Sequence, residues 1–170
     1  LFRSRYHKIK RKPKRAAAGT SIEKRPDDID SREEFGHWEI DTVIGSKSKK
    51  DEVLLTLVER KTRNAMVRKI SGKTADAVMA ELYQLKEYFG SEFSRVFKTI
   101  TSDNGSEFSD LSALRTSNTK IYFTHPYSSF ERGTNERHNG LLRRFIPKGR
   151  RISHYSHEAI SLLEDWINNL

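Results

Sequence analysis

Asp41, Asp103 and Glu136 stand out because each sits where a carboxylate is unusual or well aimed. Asp41 lies in the strand-like run Gly36-His-Trp-Glu-Ile-Asp-Thr-Val-Ile-Gly45. Asp103 follows a short apolar run and opens Asp103-Asn-Gly-Ser-Glu-Phe108. Glu136 starts a basic helical segment, Glu136-Arg-His-Asn-Gly-Leu-Leu-Arg-Arg-Phe145. Three hard oxygen donors without sulfur suit Mg²⁺ or Mn²⁺ rather than zinc. On a strongly basic chain, such a donor set points to phosphoryl chemistry on nucleic acid.

Each residue also has a plainer reading. Asp41 could face solvent from a half-buried strand, although Asp is depleted in strand interiors. Asp103-Asn-Gly105 is good turn chemistry, because Asn and Gly tolerate positive φ. Glu136 shares a helix side with Asn139, Gly140 and Arg143, opposite His138, Leu141, Leu142 and Phe145, which is how a solvated face looks. Gly140 costs a helix about 1 kcal/mol relative to Ala, and the close approach of another backbone or of DNA would account for it. Glu39, on the strand face of Asp41, and Glu107, one turn after Asp103, are possible deputies, with Glu107 expected in a supporting role. His154 and His157 have metal-pair spacing without cysteines, and Tyr127 lacks the arginine and histidine setting of a nucleophile; both read as structural.

The elements that would position these side chains follow from periodicity. Three strands come first, over His37–Ile44, 51–60 and 64–70, joined as a meander with a turn at Lys61–Asn64. A helix over 74–89 has Thr74 as N-cap and Gly90 as stop. A strand at 96–101, a short helix from 106 or 107 to about 115, a strand at 120–124, the Glu136 helix and a last helix from about Ser156 complete the order. The expected class is α/β, a ribonuclease H-like fold with a mixed five-stranded sheet flanked by helices.

Composition narrows the function further. The chain has 170 residues and a net charge of +9, with a pI near 9.8. Residues 1–15 carry eight Lys or Arg and no acid, and residues 131–151 carry seven against Glu131 and Glu136. The expected DNA contacts are Lys10, Arg11, Lys12, Lys14 and Arg15 in the first zone. In the second they are Arg137, Arg143, Arg144, Lys148, Arg150 and Arg151. Residues 1–35 read as a basic linker or arm and 36–170 as the core. Cysteine is absent, which excludes disulfides and thiolate chemistry. No membrane span or signal pattern is present, so a cytoplasmic location is expected. Leu1, in place of an initiator Met, and the uncapped amphipathic run 161–170 read as the ends of a domain cut from a longer chain.

These segments resemble the catalytic core of bacterial insertion-sequence transposases of the IS-thirty family, within the retroviral-integrase-like group. The resemblance runs from about residue 20 to the end. It is carried by Phe35-Gly-His-Trp-Glu-x-Asp41-x-Val-Ile-Gly45, Leu57-x-Glu-Arg-Lys-Thr62 and Ser102-Asp-Asn-Gly-x-Glu-Phe108. The longest block is Pro126-Tyr-Ser-Ser-x-x-Arg-Gly-Thr-Asn-Glu136-x-x-Asn-Gly-Leu-Leu-Arg143. The chain departs from the family at Arg137-His138, often small and polar there, and at Phe130, often Trp. The resemblance implies Asp41, Asp103 and Glu136 as a catalytic, metal-binding triad with two Mg²⁺ or Mn²⁺ ions. It also implies DNA strand cleavage and strand transfer, a homo-oligomer on DNA, and an N-terminal helix-turn-helix region outside this chain. A hydrolytic nuclease of the same fold, or a non-catalytic DNA-binding module, are the competing expectations.

Overall fold

A computed structural model describes residues 19–170 apart from Lys49 and Tyr127, with the backbone alone at Ser129 and Phe130. The expected basic arm therefore lies mostly outside the described residues. Strands β1 (Thr20–Ser21), β2 (His37–Ile44), β3 (Val53–Glu59) and β4 (Ala65–Ile70) come first. Helix α1 (Ala75–Phe89), a single turn α2 (Phe93–Val96), and strands β5 (Thr99–Ser102) and β6 (Lys120–Phe123) follow. Helices α3 (Gly133–Phe145) and α4 (His157–Asn168) end the chain.

The strands form one mixed sheet in the order β1-β6-β5-β2-β3-β4. The meander β2-β3-β4 is antiparallel, whereas β5 runs parallel to β2, and β6 to β5. The sheet has six strands rather than the expected five, because the two-residue β1 adds parallel to β6. That pairing places residues 19–35, read from sequence as linker, against the body. Arg25 and Ile29 are buried there, and Arg25 donates to Thr101 Oγ1 at 3.2 Å. The segment is poor in apolar residues, and the ion pair from Arg60 on the body to Asp30, which also pairs with Arg25 within the segment, helps dock it.

The sheet divides the core in two. Along β3, Val53, Leu55 and Leu57 join Val78, Leu82, Phe97 and Ile100 on the α1 side. Leu54 and Val58 join Val43, Leu142, Ile146, Ile160 and Leu163 on the α3–α4 side. The period of two thus sends every second side chain of a fully buried strand to a different layer. Thr56 and Asp41, register partners across β3 and β2, share the parity of the α3 side.

Two details depart from the expected elements or complete them. The anticipated helix over 106–115 is instead two 3₁₀ turns, Ser106–Phe108 and Leu111–Leu114. Its buried residues Phe108, Leu111 and Leu114 recur every three positions, the 3₁₀ period. At the sheet edge, α4 replaces a neighbouring strand. Asn168 accepts from Ala65 N–H at 2.7 Å and donates to Ala65 C=O at 2.9 Å, and Glu164 accepts from Val67 N–H. The open ladder of β4 is thereby satisfied, which blocks edge-to-edge pairing. Among the described residues no helix is long and apolar enough to cross a membrane.

Candidate active site

The neighbouring strands β2 and β5 set the site. Their parallel register pairs Trp38 with Ile100 and Glu39 with Thr101. Asp41 lies two residues further along β2 and Asp103 just past the end of β5, near enough for their charges to interact. Ligands of open α/β sheets bind at the carboxyl ends of such strands. Asp103 stands in the loop just after β5, where its Oδ1 accepts from Gly105 N–H at 2.8 Å in a tight turn. Asn104 fastens that turn to the end of β6 by donating to Thr124 C=O at 2.6 Å. The turn reading of Asp-Asn-Gly thus describes the structure, and the same turn fixes the orientation of the carboxylate. A cleft of about 320 Å³ opens there, lined by Asp103, Asn104, Gly105, His125 and Arg132 among others.

Asp41 is held from two sides. Its Oδ1 accepts from Thr42 N–H at 2.8 Å, and its Oδ2 accepts from Asn139 Nδ2 at 2.9 Å. Burial raises its pKa, an effect opposed by the Arg132 charge and the Thr42 amide and reinforced by Asp103. Arg132, at the N-terminus of α3, lies between the two carboxylates. It reaches Asp41 Oδ2 at 3.4 Å and Asp103 Oδ2 at 3.0 Å, and donates to Ile40 C=O at 3.1 Å.

Glu136 is not gathered in with them. It is exposed on the first turn of α3, and among the described residues it makes no hydrogen bond or ion pair. No group of three His, Cys, Asp or Glu side chains among those residues stands as a ready metal cage. Helix geometry nevertheless fixes its direction. Arg132, Glu136 and Asn139 are spaced by four and three, which puts Glu136 on the helix side whose neighbours above and below both reach Asp41. The side of α3 that looked solvated in sequence faces the carboxylate strand.

The acidic deputies divide. Glu39 is fully buried, paired with Arg60 Nη1 at 2.7 Å and accepting from Asn135 N–H at 2.9 Å, so it ties the start of α3 to β2. Glu107 stays beside the site. It accepts from the Thr42 hydroxyl at 3.0 Å and pairs with Lys73 at 3.0 Å. A Cβ at Gly105 would lie 2.6 Å from Glu107 Oε2 and 2.9 Å from Asp103 Oδ1, so any larger residue there would have to push these carboxylates aside.

Of the expected DNA contacts, Lys10, Arg11, Lys12, Lys14 and Arg15 lie outside the described residues, as does Tyr127. Arg137, Arg144, Lys148, Arg150 and Arg151 are exposed. Arg143 is tethered instead: its Nη2 donates to Ile44 C=O at 2.8 Å, and its Nη1 is buried without a partner. Sequence reading missed Arg132, Asn135, Asn139 and Thr56, whose hydroxyl lies 3.0 Å from Asn135 Oδ1. The signal available for Asn139 was its place one turn past Glu136 on the same helix face.

A family model described as Integrase core domain matches residues 31–129. The chain is 45% identical over 148 residues to a probable transposase for insertion-like sequence element IS1161 of Streptococcus salivarius, covering 87% of this chain and 40% of that protein. It is 36% identical over 152 residues to transposase InsI for insertion sequence element IS30C of Escherichia coli strain K12, covering 89% and 38% respectively. The chain thus spans about two fifths of the length of these curated relatives. Among solved structures, a chain of the simian T-cell lymphotropic virus intasome in complex with a PP2A regulatory subunit aligns with TM-score 0.56 at 19% identity. That alignment covers 75% of this chain and 46% of that one, a likeness of fold and consistent with the ribonuclease H-like class.

Proposed function

Because the chain belongs to the integrase core family, we propose that it is the catalytic core of an insertion-sequence transposase that cleaves DNA strands and joins the freed ends to target DNA. The observation that carries this reading is the meeting of Asp41, on β2, and Asp103, just past the neighbouring parallel β5, at one shared positive charge.

The donor set fits Mg²⁺ or Mn²⁺, since it offers only carboxylate and amide oxygens, and Arg132 marks the space between Asp41 and Asp103 as one that draws a cation. Asp41 and Asp103 would hold two such ions, with Glu136 completing the set from α3. When bound, the ions would supply Lewis-acid stabilisation of the attacking and leaving oxygens of a phosphodiester. The residues of the chain do the rest. Thr42 N–H and Asn139 fix the Asp41 carboxylate, and Gly105 N–H fixes Asp103, so neither must reorganise when DNA arrives.

Water is the attacking group in cleavage and the 3′-hydroxyl of the cut strand in joining. Arg137, Arg144, Lys148, Arg150 and Arg151, together with Lys10, Arg11, Lys12, Lys14 and Arg15, would neutralise backbone phosphates of the element ends and the target, with Arg143 holding α3 to the end of β2 instead. A homo-oligomer would bring two ends together, and action on chromosomal DNA would place the protein in the cytoplasm.

The test is strand transfer of a labelled, pre-cut donor end in Mn²⁺. Asp41→Asn, Asp103→Asn and Glu136→Gln should each lower joining and nicking by about a hundredfold or more while DNA binding persists. Near-normal joining by any one of them removes that residue from the set. Cleavage without any joined product in the unaltered chain would favour a hydrolytic nuclease.

A further inference from the structure

The guanidinium of Arg132 lies between the Asp41 and Asp103 carboxylates. Among the described residues it is the only cation paired with Asp41 or Asp103, and it is 7% exposed. Its satisfaction is incomplete: Nε is buried without a partner, and the contact to Asp41 is long at 3.4 Å. It immediately precedes α3, whose first turn Glu39 ties to β2 by accepting from Asn135 N–H at 2.9 Å, and it stands one turn before Glu136, which makes no hydrogen bond or ion pair among the described residues. A divalent ion drawn to the two carboxylates is opposed by a guanidinium lying between them, because like charges at that range repel.

We propose that Arg132 is a resident counter-ion of the Asp41–Asp103 pair, which a divalent cation displaces, and that its departure opens room beside the pair for the Glu136 side chain, one turn along α3. The inference rests on the reading of that pair as a metal site. It makes Arg132 a positioning residue with two linked effects. It keeps two crowded carboxylates compatible with a folded, metal-free protein, and it ties metal binding to completion of the site. Metal affinity is lowered by the strength of the ion pairs that must be broken, whatever the DNA substrate.

Calorimetric titration with MnCl₂, without DNA, tests this on the unaltered chain, Arg132→Gln, Arg132→Lys and Asp103→Asn. Arg132→Gln should bind Mn²⁺ about tenfold tighter or more, since two charge-assisted interactions no longer compete. It should also melt lower without metal and gain more in melting temperature on adding Mn²⁺ than the unaltered chain does. That last readout remains available if the variant folds poorly without metal. Arg132→Lys, which cannot span both carboxylates, should fall between the two. Amide exchange over residues 133–137 should change on adding Mn²⁺ to the unaltered chain.

Equal or weaker Mn²⁺ affinity in Arg132→Gln, with affinity abolished in Asp103→Asn, would overturn the counter-ion role and leave the metal site standing. Affinity unaffected by Asp103→Asn would instead remove the metal site itself. An exchange pattern over 133–137 indifferent to Mn²⁺ would refute the link to Glu136.

Discussion

Asp51 offers a quantitative test of how the second basic zone is mounted. Its carboxylate accepts from Ile152 N–H at 3.0 Å, Ser153 N–H at 3.2 Å and the Ser46 hydroxyl at 3.1 Å, so it clamps the turn after Lys148, Arg150 and Arg151 to the loop after β2. Burial alone would raise its pKa. The donated hydrogen bonds from Ser153, Ile152 and Ser46 outweigh that and bring it from 3.8 down to about 2.

A folded-state pKa below the unfolded value means the charged carboxylate stabilises the fold. The contribution is complete above the unfolded value near 4 and disappears as pH falls through about 2. At 1.36 kcal/mol per unit, that shift corresponds to about 2 kcal/mol. Asp51→Asn mimics the protonated acid. Urea denaturation should show it about 2 kcal/mol less stable than the unaltered chain at pH 6, with the gap closing toward zero by about pH 2. Taking the difference between the two proteins at each pH cancels the other carboxylates. A gap below about 0.5 kcal/mol at pH 6, or one that does not change between pH 5 and pH 2, would refute the clamp.

Three further outcomes follow from the geometry already described. Gly45→Ala should destabilise by about 1–3 kcal/mol in urea denaturation and weaken DNA binding, because the added Cβ would lie 2.1 Å from Arg150 C=O and push the basic segment off β2. Asn168→Ala should cost about 1–2 kcal/mol and raise association measured by light scattering, since it unpairs both backbone groups of Ala65 at the sheet edge. Neutralising Arg144, Lys148, Arg150 and Arg151 together should lower the salt slope of DNA affinity by about 0.9 for each phosphate these side chains neutralise, while Arg143→Gln should act mainly on stability through its bond to Ile44.

Sequence by itself determined the long elements and the residue types at the site, though not β1 or the two 3₁₀ turns after β5. Alternation in β2 and β3, the Thr74 cap and Gly90 stop of α1, and the start of α4 at Ser156 are local signals, written in periods of two and 3.6 and in capping side chains. The block around Glu136 also carried the family. Local signals fail where a structure depends on partners distant in the chain. Residues 19–35 lack the apolar content of a core segment, and only the β1–β6 pairing, the Arg25–Thr101 bond and the Asp30–Arg60 ion pair reveal that they belong to the body. Arg132 reads as one more surface cation until β2 and β5 lie side by side and leave two carboxylates facing it. The tertiary structure decided which charges are neighbours. Coulomb energy depends on distance in space, and a chain records only distance along itself.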